Sequence, residues 1–156
     1  MTIEGKWDLI IAHPPCTYLT KAGSNRLIID GELQEARYKK GLEAKKFFMR
    51  ILDADCKRVA VENPIPLKLF GLPAYSHIIQ PYYFGNPYWK TTCLWLKGLP
   101  PLFATGLCIP IGKWVNSTDH RKKKKNDDWA KSGQRTAKDR SKTFPGIARA
   151  MAEQWG

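Results

Sequence analysis

Residues 7–16 read WDLIIAHPPC, a short apolar run that ends at two prolines and a cysteine. The apolar run predicts a buried strand, and Pro14 with Pro15 predicts that the chain then leaves the sheet in a loop. Open α/β sheets place their active sites in the loops that follow the carboxyl ends of their strands. Cys16 therefore has two interpretations: a small apolar residue packed into the core, or a nucleophilic thiol at the mouth of a strand.

A helix and a second strand follow this loop. From Glu32 to Asp53, apolar residues recur at steps of three and four, and only Lys40 interrupts the apolar face, which predicts an amphipathic helix. CKRVAVENP (56–64) predicts a β-branched strand that ends near Glu62 and Asn63. In a strand–helix–strand unit the crossover is right-handed, and both strands end at the same edge of the sheet. We therefore expect the two strand ends, and with them Cys16 and Glu62, to be neighbours in space.

The rest of the chain predicts a hairpin, a loop region and a C-terminal helix. HIIQPYYFG (77–85) and TTCLWLKG (91–98) read as two strands joined by the turn GNPYWK, whereas residues 20–25 and most of 99–119 read as loop. The final helix is expected to begin near Pro145. One face of this helix is expected to carry Ile147, Ala148, Met151 and Trp155.

These elements predict an α/β fold, a strand–helix–strand unit plus a β-hairpin, in a single domain over residues 1–156. The hydrophobic content of 43% is typical of a globular chain. No run approaches the roughly 18 apolar residues of a membrane span, and MTIEGKWD lacks the layout of a signal peptide. We therefore expect a soluble intracellular protein that does not contact a membrane.

The cysteines and histidines are spread along the chain. No C-x-x-C pair occurs, and the three histidines are scattered, so we expect no metal site. A chain of this size with no export signal also has little need of a disulfide framework. We therefore expect reduced thiols at the four cysteines, which are Cys16, Cys56, Cys93 and Cys108.

The positive charge is concentrated in one segment. The whole chain has a net charge of +12, and residues 120–142 alone hold ten Lys or Arg against three Asp. Such an arm is typical of proteins that contact a polyanion, although a solvated and flexible charge run is the alternative. The DNA contacts of this arm are expected from Arg121, Lys122, Lys123, Lys124, Lys125, Arg135 and Arg140.

Four motifs in this order resemble the cytosine-C5 DNA methyltransferases. Pro15-Cys16 follows the first strand, Glu62-Asn63 follows the second, and the spacing between them is similar to that in the family. The segments HPPCTYL, VENP, TTCLWLKGLP and RSKTFPGIARAMAEQWG are similar to a phage- and prophage-associated branch, over about residues 5–156. The resemblance implies an S-adenosylmethionine-dependent DNA methyltransferase on a partial Rossmann-like sheet, acting in the cytoplasm of a bacterial host.

The resemblance also implies catalytic roles. Cytosine C5 is a poor nucleophile, and addition of a thiolate to C6 makes it enamine-like, so Cys16 would be the nucleophile. Glu62 would supply a proton or hydrogen bond at N3 of the ring, and Asn63 would fix the loop. The reacting base must leave the duplex to reach such residues, which implies base flipping.

The cofactor side of the resemblance is incomplete. The resemblance places Phe144 and Gly146 in the wall of the S-adenosylmethionine pocket, together with Pro14, Pro15 and the acidic Asp8. The glycine-rich turn with which the family begins has no counterpart in this sequence. We therefore expect a second chain, or a second copy of this one, to complete the cofactor site.

The target side also departs from the family. In GNPYWKTT (85–92), Tyr88, Lys90 and Thr92 stand where the family has Gln, Arg and Arg. Lys90 keeps a positive charge for the target nucleotide but not a bidentate fork. An alternative function is therefore a catalytically inactive phage factor of the anti-defence type, which binds DNA or protein on a remnant methyltransferase fold.

Three further interpretations stay open on sequence alone. Glu62 could pair with a neighbouring Lys or Arg rather than serve chemistry, and His13 is expected to be a hydrogen-bonding loop residue rather than a base. The aromatic residues of segment 82–95 either stack on bases or pack the hairpin.

Overall fold

The computed structural model describes residues 5–110 and 143–156, except for the side chains of residues 22, 23 and 25. The basic segment 120–142 lies outside the described residues. The described chain forms two compact units. The first unit contains residues 5–79, 91–102 and 155–156, and the second contains residues 80–90, 103–110 and 143–154.

The first unit is built on a mixed sheet of four strands. In chain order these strands are β1 (Ile10–Ala12), β4 (Val59–Pro64), β5 (His77–Ile79) and β6 (Thr92–Lys97), and their order in the sheet is β1-β4-β6-β5. β1 and β4 are parallel, whereas β6 is antiparallel to both of its neighbours. The expected α/β class, the strand–helix–strand unit and the β5–β6 hairpin are confirmed.

Helix α1 (Glu35–Leu52) joins the two parallel strands. It buries Gly41, Phe48 and Ile51, and Phe48 meets the Trp95 ring edge-on with 4.9 Å between ring centroids. Phe48 and Ile51 share one apolar cluster with β4 and β6 residues, so α1 covers one face of the sheet. The helix begins three residues later than its apolar pattern predicts, because Glu32 and Leu33 belong to a strand.

A small hairpin between β1 and α1 is absent from the sequence-based expectation. Its strands are β2 (Ile28–Ile29) and β3 (Glu32–Leu33), and they are antiparallel. Asp30 and Gly31 form the two-residue turn, with φ angles of 51° and 85°. An Asp-Gly pair flanked by apolar residues is a strong signal for such a turn, so the sequence does contain this hairpin. The expected loop at residues 20–25 is also wrong, because Lys21–Arg26 is a 3₁₀ helix.

The hairpin β5–β6 has a shorter first strand than its apolar run predicts. β5 ends at Ile79, and a 3₁₀ helix at Pro81–Tyr83 follows it. Proline has no N–H for the ladder, which explains why pairing stops before it. The connection between the two strands is therefore the whole of residues 80–91 rather than the short turn GNPYWK.

The C-terminal helix α2 (Pro145–Trp155) begins at the predicted residue. Its buried residues are Ile147, Ala150, Met151 and Trp155, whereas the predicted Ala148 is exposed. At 100° per residue, Ala148 and Ala150 lie about 80° on either side of the centre of the face that Ile147 and Met151 define, and the structure buries the Ala150 side. Over residues 5–110 and 143–156, no helix combines the length and the apolar character needed to cross a bilayer.

Gly41 allows the close approach of α1 to Phe70. A Cβ at residue 41 would overlap the Phe70 ring, which is buried and stacks on Tyr38 with 5.7 Å between ring centroids. Glycine in the middle of a helix costs about 1 kcal/mol relative to alanine. Its presence here indicates that packing of the Phe70 ring outweighs helix propensity.

We expect Gly41→Ala to lower the free energy of unfolding by about 1–3 kcal/mol, because overpacking of the ring outweighs the gain in helix propensity. Urea unfolding followed by circular dichroism measures the change. The matched control is Gly41→Ala in a Phe70→Leu background, where the smaller side chain should reduce the penalty. A stabilised Gly41→Ala single variant would contradict the packing role of Gly41.

Candidate active site

The register of β1 against β4 brings two strand ends together. Ile10 pairs with Val59 and Ala12 pairs with Val61 in the parallel ladder. Continued beyond the last pair, this register sets residue 13 beside residue 62 and residue 14 beside residue 63. The side chain of Glu62 contacts residue 13, and the side chain of Asn63 contacts residue 14. The expectation that the two strand ends are neighbours is confirmed.

His13 contacts Glu62. The Nδ1 atom of His13 is 3.0 Å from Oε2 of Glu62, and the two side chains are 37% and 14% exposed. The carboxyl group is therefore mostly shielded, while the imidazole borders solvent. The partner of Glu62 is a histidine, rather than the Lys or Arg that the simpler interpretation of this residue expected.

Asn63 contacts the main chain of the loop. Its Nδ2 atom donates to the carbonyl oxygen of Pro14 at 3.1 Å, and the side chain is only 1% exposed. The Oδ1 atom is buried and has no hydrogen-bond partner among the described residues. An unpaired buried oxygen costs about 1–3 kcal/mol, so a donor group at this position would bind favourably. The predicted role of Asn63 in fixing the loop agrees with this contact.

Cys16 lies two residues beyond this anchored proline. A separation of two residues limits its Cα to about 7 Å from that of Pro14. The carbonyl oxygen of Cys16 accepts from the Leu19 amide at 3.2 Å and from Thr20 Oγ1 at 3.1 Å. Cys16 itself is half-buried, so its interpretation as a sealed core residue is wrong; Leu19 and Thr20 are the buried residues of this turn.

The amino-terminal part of α1 contributes positive charge to the Cys16 loop. Arg37 Nη2 donates to the carbonyl oxygen of Thr17 at 3.0 Å. The Arg37 guanidinium lies 4.9 Å from the centroid of the Tyr18 ring, and the Lys40 ammonium lies 6.0 Å from it. Cations beside a thiol favour its ionised form, which is the reactive one. Sequence reasoning missed both residues, and the one signal for them is that Lys40 breaks the apolar face of the helix.

Asp8 does not join this cluster. It is exposed and precedes β1, whereas the Cys16 loop follows β1, so the strand separates the two. The main-chain carbonyl of Asp8 accepts from Arg58 Nε at 3.0 Å. Of the two prolines expected to line the cofactor pocket, Pro14 is buried under the Asn63 contact and Pro15 is exposed.

The second unit holds three other predicted site residues together. Phe144 stacks on Tyr88 with 5.6 Å between ring centroids, and the Lys90 ammonium lies 5.7 Å from the Phe144 centroid. The Gly146 amide donates to Asn86 Oδ1 at 3.1 Å, and a Cβ at residue 146 would overlap the Phe84 carbonyl. Lys90, which was expected to contact DNA, therefore lies next to Phe144, which was expected to line the cofactor pocket.

Of the other residues predicted from the sequence, one is buried and several lie outside the described residues. Thr92 of β6 is buried in the first unit. No group of three or more His, Cys, Asp or Glu in residues 5–110 and 143–156 is arranged to hold a metal ion. The expected DNA contacts that lie outside the described residues are Arg121, Lys122, Lys123, Lys124, Lys125, Arg135 and Arg140.

Comparison of the chain with protein-family models, with curated proteins and with solved structures gives no match. The interpretation of this site therefore depends on its sequence motifs and its geometry alone.

The buried thiol of Cys93 provides a test of the site's electrostatics. Burial, and then the negative charge of Glu62, raise the pKa of Cys93 to about 11 from an ordinary value of 9.0. Below about pH 9 the thiol is protonated in both the folded and the unfolded chain. Between about pH 9 and 11 the unfolded chain releases a proton that the folded chain retains, so stability falls as the pH rises.

We expect Cys93→Ala to remove this part of the pH dependence. Urea unfolding at pH 8, 9, 10 and 11 should show a smaller loss of stability across this range in the variant than in the parent chain. Cys108→Ala, which removes a half-buried thiol, is the matched control and should keep the parent's slope. Equal slopes in all three proteins would show that Cys93 ionises as it does in the unfolded chain.

Proposed function

We propose that this chain is a DNA cytosine-C5 methyltransferase-like protein, in which the Cys16 thiolate adds to C6 of a cytosine flipped out of the duplex. The observation that supports it best is the double contact between the strand ends, His13 with Glu62 and Asn63 with the Pro14 carbonyl. These contacts hold the start of the loop at the end of β4, and the half-buried Cys16 follows two residues after the second contact. Nucleophile and acid at one sheet edge are what addition to a pyrimidine requires.

The addition step assigns a role to each group. The thiolate sulfur forms a bond to C6, and the electron pair of the C5–C6 double bond forms a double bond between C4 and C5. The electron pair of the C4–N3 double bond moves onto N3. Negative charge then develops at N3, where the Glu62 carboxyl, when protonated, supplies the proton or the hydrogen bond. C5 becomes enamine-like and can accept a methyl group, for which the resemblance implies S-adenosylmethionine as the donor.

Charge near the loop supports the nucleophilic role of Cys16. Arg37 binds the carbonyl of Thr17, the residue that follows the thiol, and Lys40 lies over the adjacent Tyr18 ring. Both cations come from the first two turns of α1, which begins at the same edge of the sheet. A partly open, electropositive setting is typical of reactive thiols.

The residues expected to hold S-adenosylmethionine do not fit the whole cofactor. Asp8 lies at the other end of β1, and the Gly146 amide is already bonded to Asn86. One face of the Phe144 ring stacks on Tyr88, and the sequence has no glycine-rich turn for the cofactor. We therefore propose that a second chain, or a second copy, completes the cofactor site.

The mixed sheet is compatible with part of a Rossmann-like sheet. Its parallel pair β1–β4, with the hairpin β5–β6 beside it, would form one side of such a sheet. The phage-like motifs suggest the cytoplasm of a bacterial host as the place of action and DNA as the polymeric substrate.

Covalent trapping tests the proposed addition. Duplex DNA with 5-fluorocytosine, incubated with S-adenosylmethionine, should give an adduct that survives denaturing electrophoresis, because fluorine cannot leave C5 as a proton would. Duplex DNA with 5-azacytosine should trap the thiol without cofactor, since its electron-poor ring accepts a thiolate directly. Cys16→Ser should abolish both adducts.

The matched control is Cys108→Ser, which alters the other half-buried thiol and should leave both adducts intact. An adduct with 5-azacytosine alone would support addition by Cys16 and a cofactor site that is incomplete in the single chain. Absence of any adduct, also at high protein concentration and with added cofactor, would rule out the enzymatic proposal.

A second candidate function is favoured by the charge distribution. Residues 120–142 carry ten Lys or Arg against three Asp, and the cofactor residues do not form a complete site. A catalytically inactive phage factor of the anti-defence type, which binds DNA or protein on this fold, needs the basic segment but no cofactor site. Such a protein would bind DNA through its phosphates and would not depend on the thiol.

Salt dependence tests the phosphate contacts on which the second candidate depends. Replacement of Lys122–Lys125 by Gln should weaken DNA binding and lower the slope of log affinity against log salt by about 0.9 for each phosphate that is no longer neutralised. The measurement is fluorescence anisotropy of a labelled duplex at several salt concentrations. Cys16→Ser is the control and should bind DNA like the parent chain. Unchanged affinity in the Lys122–Lys125 variant would exclude this run from the DNA interface.

A further inference from the structure

The protonation state of Glu62 sets the direction of its hydrogen bond with His13. A carboxylate can only accept, so Nδ1 of His13 must carry the hydrogen and donate it to Oε2 of Glu62 while the acid is ionised. When the acid is protonated on its other oxygen, Oε2 is a carbonyl oxygen and still accepts. The contact at 3.0 Å is therefore compatible with both protonation states of Glu62, without movement of either side chain.

This contact makes the two carboxyl oxygens of Glu62 unequal. Within the described chain, Oε2 receives the hydrogen bond from His13, and Oε1 has no hydrogen-bond partner. A proton on Oε2 would displace the His13 hydrogen, whereas a proton on Oε1 leaves that bond intact. Oε1 is therefore the oxygen that can carry a proton without loss of the His13 bond.

We propose that His13 is the positioning residue for Glu62: by donating from Nδ1 to Oε2, it fixes the carboxyl plane and reserves Oε1 for the substrate base. This inference rests on the proposed addition to cytosine, because it names the oxygen that would face N3. His13 does not contact the base in this role. It acts through Glu62.

A cationic partner would oppose the proposed chemistry. Lys or Arg beside Glu62 would hold it ionised, and an ionised carboxylate cannot donate a proton to N3. A neutral imidazole donates the same hydrogen bond and favours the ionised acid less strongly. No Lys or Arg of the described chain forms an ion pair with Glu62.

Two other titratable groups lie near the pair on neighbouring strands. The Cys93 thiol of β6 has a pKa raised to about 11 and is therefore uncharged at neutral pH. His77 of β5 shares Leu94 with Glu62 as a cross-strand partner, which places it on the same face of the sheet, two strands away. His77 therefore provides a matched histidine for control experiments.

The test compares four substitutions in the full chain. In His13→Asn, the amide nitrogen takes the position of Nδ1, whereas in His13→Gln it lies near the position of Nε2. We expect His13→Ala and His13→Gln to slow formation of the 5-azacytosine adduct by about 10- to 100-fold, and His13→Asn to restore most of the rate. His77→Ala should form the adduct at the parent rate.

A spectroscopic measurement reports the contact without activity. Nitrogen-15 NMR of the histidine rings at pH 8 should show His13 as the Nδ1–H tautomer in the parent chain. This less usual tautomer should disappear in Glu62→Leu, which has no acceptor. A histidine that does not donate to Glu62 in solution would keep its tautomer when Glu62 is replaced.

The outcomes separate this inference from the proposed function. If the parent chain forms the adduct and His13→Ala forms it equally fast, or if His13 is the Nε2–H tautomer in the parent chain, the positioning role is wrong while the addition chemistry stands. If the parent chain forms no adduct, the proposed function fails, and the role of His13 in it fails too. Slow adduct formation in His13→Ala, rescue by His13→Asn and the Nδ1–H tautomer together support the inference.

Discussion

The parallel register of β1 against β4 is the constraint on which the site depends. The pairing of Ala12 with Val61 determines that residues 13 and 14 pass residues 62 and 63. The backbone ladder stops at that point, and the side chains of Glu62 and Asn63 continue it by contacts to the loop. Because successive side chains of a strand point to opposite faces, the loop is held from both sides of the sheet.

Two cysteines show how strongly position in this sheet controls thiol chemistry. Cys93 is fully buried in β6 and near the Glu62 charge, so its neutral form is favoured. Cys16 is half-buried in a loop next to the Arg37 contact. Burial, and then the negative charge of Glu62, raise the pKa of Cys93 and so disfavour its thiolate. The Cys16 loop is instead partly open, and a cation binds the carbonyl of the next residue.

Periodicity and proline positions predicted most of the first unit. The apolar runs at residues 7–12 and 56–64 and the helical repeat between them are local signals, and burial made each of them a regular element. The proximity of the two strand ends followed from the handedness and direction of the unit alone. The short β5 and the Asp30-Gly31 hairpin were missed because turn and proline chemistry were given less weight than apolar runs.

The partners of the site residues could not be predicted in the same way. The His13–Glu62 contact requires one particular pairing of two strands, and composition does not specify a register. The Arg37 contact depends on where α1 begins, which differed from the apolar pattern by three residues. Asp8 is an acidic residue at the start of the predicted strand, and the structure places it before β1, at the other end of the strand from the Cys16 loop.

The alternation of Glu62 and Asn63 across the sheet has a consequence for how this protein can vary in length. An insertion or deletion of one residue within Val59–Val61 would exchange the two side chains between faces, and neither could then reach the loop as it does now. The excursion made by the hairpin, Ile28–Leu33, is under less restriction, because both of its strands are exposed. Natural length variation should therefore accumulate in that excursion, while β1 and β4 keep a constant residue count.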